Sequence, residues 1–186
     1  MDVKEAIDLR RALRSLTPLE VQRKLLEELA HSASMAPSCF NKQPWRLVFI
    51  FDPSVLNQIY TTLSSGNEWA RASNLIIAIF SERKLDCIIG QREYFLFDTG
   101  MATAFLILRA TELGLVAHPI AGFAEDQVKT ILGIPNEYQV ITLLIVGRKS
   151  TDLNPLLSEP QIKAEKERPL RQPLENFTYF NHFSQH

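Results

Sequence analysis

Between Arg92 and Leu113 the chain carries Phe, Leu, Met and Ala around most of a helical circumference, with Asp98 and Arg109 as the exceptions. A helix that is apolar nearly all round has to be buried, so the spacing predicts that this one stands at the centre of the fold. Strands to lay against it are legible nearby. Leu75 to Phe80 is apolar throughout, as a strand covered on both faces tends to be, and Val140 to Val146 reads as a second buried strand. Arg46 to Phe51 reads as another strand, and Leu115 to Ile120 as a short extended segment. Gly114 ends the central helix, and Gly133 with Pro135 stops a short helix from about Glu125 to Leu132.

The N-terminal third is helical by its start signals. Asp2 with Glu5 has the form of a capping box and predicts a helix from Val3 to about Leu13. Arg10, Arg11 and Arg14 then crowd one turn, where like charges repel unless an anion or carboxylate compensates them. On pattern alone, a solvated face accounts for them equally well. Thr17-Pro18-Leu19-Glu20 opens a second predicted helix, with Val21, Leu25, Leu26, Leu29 and Ala30 as its core stripe. Asp52-Pro53 caps a third, through about Leu63.

Where the second helix stops, Ala36-Pro37-Ser38-Cys39-Phe40-Asn41-Lys42-Gln43-Pro44-Trp45 leads straight into a strand. The two prolines pin the backbone at either end. Between them a hydroxyl, a thiol and two amides offer neutral donors and acceptors, which suits the edge of a flat heterocycle. An ordinary helix-to-strand turn would also use such residues.

The chain of 186 residues, 46% apolar with a net charge of -1, is expected to form one domain. It is neither basic enough to favour nucleic acid nor apolar enough in any run to span a membrane. The N-terminus lacks the design of a signal peptide. Cys39 and Cys87 match no zinc or redox spacing, so free thiols in a reducing cytoplasm are expected, with no disulfide and no metal. The body ends near residue 150. From 151 to 186, prolines alternate with charges and the end is aromatic (Phe177, Tyr179, Phe180, Phe183), an arm expected to pack on a partner subunit.

In order along the chain, several of these segments resemble motifs of the nitroreductase family of flavoproteins. They are Arg10-Arg11-Ala12-Leu13-Arg14, the loop Ala36 to Trp45, Gly66-Asn67-Glu68-Trp69-Ala70, Gly114-Leu115 through His118-Pro119-Ile120-Ala121-Gly122-Phe123, Gly147-Arg148, and Arg171-Gln172-Pro173-Leu174-Glu175. The resemblance implies an α+β fold, with a central mixed sheet flanked by helices in an intertwined homodimer. It also implies two shared sites for non-covalent FMN.

Carried over by residue, the resemblance assigns Arg10, Arg11 and Arg171 to the FMN phosphate and ribityl chain, where forked guanidinium donors match a dianion. Arg14 would lie by the pyrimidine edge, tuning the flavin. Pro37, Ser38, Cys39, Asn41 and Gln43 would come from the other subunit, Asn67 would bond the pyrimidine amide, and Pro119, Ile120, Ala121 and Gly122 would line the ring. Ala12 replaces a frequent serine, Ala121 a glutamate found in some members, and Gln172 a frequent basic residue, for which Lys166 and Arg168 are alternates.

The implied activity is that of an FMN-dependent oxidoreductase. Hydride passes from NADH or NADPH through the flavin to a nitroaromatic, quinone or related electrophile by a ping-pong mechanism, with no catalytic side chain required. The alternatives are a flavoenzyme of the same fold with different chemistry (flavin destructase, enone reductase or dehalogenase) and a flavin-binding protein without significant turnover.

Overall fold

The structure is a computed structural model, described here for residues 1–183. The last three residues of the arm expected over 151–186 lie outside the described residues. Seven strands are present: β1 Leu16–Thr17, β2 Arg46–Ile50, β3 Leu75–Ser81, β4 Ile88–Ile89, β5 Arg92–Glu93, β6 Val116–Ile120 and β7 Gln139–Lys149. Six α-helices accompany them: α1 Val3–Leu9, α2 Arg23–Ser34, α3 Pro53–Thr61, α4 Phe95–Glu112, α5 Glu125–Leu132 and α6 Glu159–Lys166.

β7 is the axis of the sheet. It pairs with β3 from Leu75↔Val146 to Ser81↔Gln139, with β6 from Val116↔Gly147 to Ile120↔Leu143, and with β1 through Leu16↔Lys149. β2 completes the sheet against β3. The α+β class is as expected, but every strand pairing among the described residues is antiparallel, where the resemblance implied a mixed sheet.

Alternation along β3 builds two cores. Ile76 and Ala78 face a cluster with Leu56, Ile59, Trp69 and Val128, on the side of α3 and α5. Leu75, Ile77 and Ile79 face Leu29, Ala33, Ala102, Leu106 and Ala110, from α2 and α4. A strand buried on both faces needs apolar residues at every position, which is why β3 reads as it does. α4 is central but not enclosed. Leu96, Phe97 and Phe105 are exposed on a side that this chain leaves bare.

Several boundaries differ from the sequence expectation, each for a tertiary reason. The capping box of Asp2 and Glu5 forms, yet α1 stops at Leu9 instead of continuing to Leu13. Downstream, the carboxylate of Glu165 accepts the amides of Arg14 at 2.7 Å and Ser15 at 3.0 Å, holding this backbone out of a helix. The second helix begins at Arg23 rather than Thr17, because Leu16–Thr17 joins β7. Asn74 then reinforces the extended course by bonding both the amide and the carbonyl of Leu19, at 2.9 and 2.8 Å. The central helix starts at Phe95, since Arg92–Glu93 turns back on Ile88–Ile89 around Gly90, whose φ of +63° suits glycine.

Cys39 and Cys87 are not free. They form a disulfide with Cα atoms 6.1 Å apart, overturning the expectation of two isolated thiols. The two lie 48 residues apart in sequence. They meet because the loop before β2 folds against the segment leaving β3.

Candidate functional site: an arginine-lined cavity and the segments around it

The extended chain after α1 places its arginines where the end of α6 runs past. Arg10, Arg11, Ala12 and Arg14 line a cavity of about 190 Å³ together with Ala164, Arg168, Pro169 and Arg171. Arg11 donates to the carbonyls of Ala164 at 2.5 Å and Glu165 at 3.2 Å. Arg168 donates to the carbonyls of Asp8 and Arg10. These bonds orient the guanidiniums without neutralising them. Glu165, the nearest acid in this segment, has both carboxylate oxygens committed to backbone amides.

Among the described residues, no salt bridge joins any of these five arginines to a carboxylate. The strain is visible at Arg10. Burial, and then the charges of Arg168 and Arg171, pull its guanidinium below the ordinary arginine value. Glu165 on the Arg14 and Ser15 amides and Asp8, which feels the charge of Arg168, offset only part of this charge, and forked guanidinium donors are the groups that match a multivalent anion such as a phosphate. Arg168, an alternate in the sequence reading, shares the cavity with Arg171. Glu165 was not singled out at all, and nothing in the local pattern of α6 marks it.

Arg14 leaves this group to lie over the ring of Trp69, 5.9 Å from the centroid. Trp69 in turn packs on His118, with ring centroids 4.7 Å apart. His118 is buried, meets the carbonyl of Leu13 through Nδ1 at 3.0 Å, and is pushed down to about 4 chiefly by that burial. It is therefore a neutral packing residue at physiological pH, with Nδ1 protonated as the donor.

Beyond His118, Pro119 and Ala121 are exposed and Ile120 is buried. The carbonyl of Gly122 accepts the side-chain amide of Asn67 at 3.0 Å and the amide of Ser64 at 3.0 Å. A Cβ at residue 122 would fall 2.5 Å from Asn67 Nδ2. This is a close approach that only glycine permits without displacement.

The loop Pro37 to Gln43 forms a second, separate group. Phe40, Asn41 and Gln43 hold φ of +49°, +56° and +49°, left-handed values that cost side-chain-bearing residues energy and tend to cluster at working sites. The loop is fastened by Ser38 Oγ, which accepts the Gln43 amide at 2.9 Å, and by Asp98, which accepts the Cys39 amide at 2.6 Å. Pro37, Phe40, Asn41 and Gln43 all stand exposed. Among the described residues, no hydrogen bond or ion pair links this loop to Arg10, Arg11, Arg14, Arg168 or Arg171; its one arginine partner is Arg46, which donates to the Gln43 carbonyl at 3.2 Å.

The arrangement therefore comprises an arginine-lined cavity, a close-packed pair of Gly122 and the Asn67 amide, and a separate polar loop with left-handed backbone. Comparison with known proteins gives the family. The model of the nitroreductase family matches residues 7–78 and 61–148, so this chain belongs to the nitroreductase family of oxidoreductases.

A relative from Thermus thermophilus named NADH dehydrogenase is 24% identical, over 79% of this chain and 86% of its own. Among solved structures, one described as an oxidoreductase containing FMN is 26% identical, with a TM-score of 0.82 over 99% of this chain and 94% of the other. A nitroreductase family protein from Clostridium difficile superposes with a TM-score of 0.78 at 22% identity, over 98% of this chain and all 100% of its own.

Proposed function

We propose that two copies of this chain hold two FMN molecules between them and act as an NADH- or NADPH-dependent reductase of a nitroaromatic, quinone or related electrophile. The observation that carries this reading is the cavity lined by Arg10, Arg11, Arg14, Arg168 and Arg171, five cations of which none is ion-paired to a carboxylate among the described residues. The phosphate of FMN is the counter-charge that such a donor set fits. Bound FMN would supply the hydride chemistry, accepting from the nicotinamide and giving to the electrophile in alternate turns.

The chain's own residues bind and orient. Arg10, Arg11, Arg168 and Arg171 hold the phosphate end. Arg14, braced on Trp69, sets a positive charge toward the pyrimidine side. Asn67 presents its free amide positions there, and Gly122 admits the Asn67 side chain that would do so, with Pro119, Ile120 and Ala121 adjoining it along the ring. The stiff loop of Pro37, Ser38, Cys39, Asn41 and Gln43 serves the site of the second copy, consistent with its making no hydrogen bond or ion pair to the cavity arginines of its own chain among the described residues.

Support for the second copy comes from α4. Leu96, Phe97 and Phe105 are exposed with Gly100 and Ala104 between them, an apolar stripe at helical spacing. Beside it, Met1, Val3, Met35 and Phe105 rim an apolar cavity of about 370 Å³. Burying this face on a twin would also shield the flavin from water. No helix of the described residues is long and apolar enough to cross a membrane, and the reading keeps the cytoplasmic setting of the sequence analysis.

The test is the visible spectrum of the purified protein, followed by anaerobic titration with each nicotinamide and then an electrophile. The expected result is a yellow protein that bleaches with NADH or NADPH and recovers colour with the acceptor. Colourless protein that takes up no FMN overturns the reading. Yellow protein indifferent to both nicotinamides removes the reductase while keeping the flavin.

A further inference from the structure

We propose that the reduced forms of Cys39 and Cys87, together with Asp86, make a binding site for a zinc-class divalent cation. One ligand atom from each, two sulfurs and a carboxylate oxygen, lie within 4.8 Å of one another. Asp86 and Cys87 are buried, at 5% and 6% exposure, and Cys39 is half-buried at the start of the strained loop. The set is rigid because its backbone is fixed from several sides. Cys39 is tied through its amide to Asp98 in the first turn of α4, and the Asp86 carboxylate accepts the Cys87 amide at 2.7 Å through Oδ1.

The disulfide accounts for the sulfurs but not for the acid beside them. Asp86 Oδ2 is buried, and apart from the neighbouring carboxyl of Asp98 it has no hydrogen-bond partner. A carboxylate oxygen taken from water with nothing to satisfy it is costly, so its retention asks for a partner. Asp98, the other acid of this cluster, lies against Asp86 and can bond it only through a shared proton, while the cation acting on Asp86 is the exposed Lys42. A bound divalent ion would satisfy Oδ2 and relieve both carboxylates.

The donor chemistry selects the ion. Two soft thiolates with one carboxylate suit zinc, which takes cysteine sulfur and aspartate oxygen in tetrahedral sites, and disfavour magnesium or calcium. Three protein ligands leave the fourth position to water. Binding transfers no electrons: the two thiols release their protons and each thiolate donates a pair to the ion. The disulfide and the ion exclude each other, since a disulfide sulfur carries no thiolate charge. Either cross-link fastens the Pro37–Gln43 loop to the end of β3 and the start of α4. The inference does not depend on the flavin reading, because metal uptake is measured directly.

The experiment uses the full chain as purified, reduced with a phosphine in metal-free buffer, and titrated with zinc chloride under native mass spectrometry. A parallel cobalt titration is followed by difference absorption for sulfur-to-cobalt charge transfer. One ion per chain is expected, with sulfur ligation in the cobalt spectrum and zinc displacing cobalt. Cys87→Ser should weaken uptake at least 100-fold and Asp86→Asn at least 10-fold, and the oxidised chain should take up none. In the unaltered chain, zinc should raise the unfolding midpoint of the reduced form only, a readout that does not require any variant to fold. No stoichiometric uptake, equal uptake by the oxidised chain, or affinity unchanged in both variants would overturn the site.

Discussion

The side-chain amide of Asn67 donates to the carbonyl of Gly122 at 3.0 Å, and the same nitrogen lies 2.5 Å from where a Cβ on residue 122 would stand. One residue thus fixes the other's side chain while leaving it no room for a neighbour. Gly122→Ala should displace Asn67 and press on Ser64 Cβ at 3.3 Å. The lost hydrogen bond is worth about 1 kcal/mol, so the fold survives. Flavin affinity should fall several-fold, because the Asn67 amide proposed to meet the pyrimidine is pushed aside. Fluorescence titration with FMN checks this, and an unchanged affinity would separate the Asn67–Gly122 pair from the site.

The arginine cavity yields a prediction about what is recognised rather than how tightly. Arg171→Gln and Arg168→Gln each remove a charge from the cradle. Charge-assisted bonds of this kind are worth about 1.5–3 kcal/mol, so FMN affinity should fall about 10- to 100-fold. Riboflavin, which has the ring and ribityl chain but no phosphate, should lose little. Equal losses for the two ligands would mean that these arginines maintain the fold and not the phosphate.

Arg14 should behave differently from its neighbours. It is half-buried over Trp69, which fixes its charge in place. Arg14→Ala should therefore leave most FMN binding intact and lower the reduction potential of the bound flavin, since a positive charge stabilises the reduced, more negative form. Potentiometry against a dye standard measures the shift. A potential identical to that of the unaltered protein would place Arg14 too far from the ring to matter.

The body of this fold is legible in the sequence wherever burial dictates composition. Leu75 to Phe80 of β3 and the Leu143 to Val146 stretch of β7 are apolar because both faces are covered, and the cap at Asp52-Pro53 forms as its residues require, with Asp52 accepting the amides of Ser54 and Val55. What is not legible are decisions taken by distant residues. Nothing near Arg14 announces that Glu165 will seize its amide, and the Thr17-Pro18 start signal is outcompeted by a ladder to residues 148 and 149. The partnership of Cys39 with Cys87 rests on a loop docking, so their spacing held no clue. The arginines of the first motif and Arg171 were legible as site candidates, but the bonds of Arg168 to the carbonyls of Asp8 and Arg10 follow only from the course of the chain after α6.

His118 gives the fold a pH dependence of defined sign. Its folded value of about 4 lies below the ordinary 6.5 because burial disfavours the charged ring. Above pH 6.5 the neutral ring is accommodated in both states and its contribution is complete. As pH falls from 6.5 toward 4 the unfolded chain takes up a proton that the folded site refuses, and about 3 kcal/mol of stability is lost. His118→Phe should cost about 1 kcal/mol at neutral pH for the bond to Leu13, yet lose less than the unaltered protein on acidification. Urea unfolding at pH 7.5 and pH 5 compares the two. Parallel losses would assign the acid sensitivity to other groups.

The C-terminal segment divides by what it touches. Through Glu167 it packs on its own chain: Leu157 is buried, the Asn154 amide bonds Ser15 Oγ at 3.1 Å, and Glu165 and Ala164 hold the arginine segment. From Leu170 on, the apolar side chains are bare, with Leu170 at 98% and Phe180 at 85% exposure. Such exposed apolar surface on an extended strap is what the proposed second copy would cover. A chain ending after Glu167 should therefore fold, because what it loses makes few contacts within the chain. It should also sediment as a weaker dimer and purify without flavin, since Arg168 and Arg171 go with the strap. Circular dichroism, sedimentation velocity and the visible spectrum read the three outcomes separately. A yellow dimer from the shortened chain would show that the strap neither joins the two copies nor completes the anion cradle.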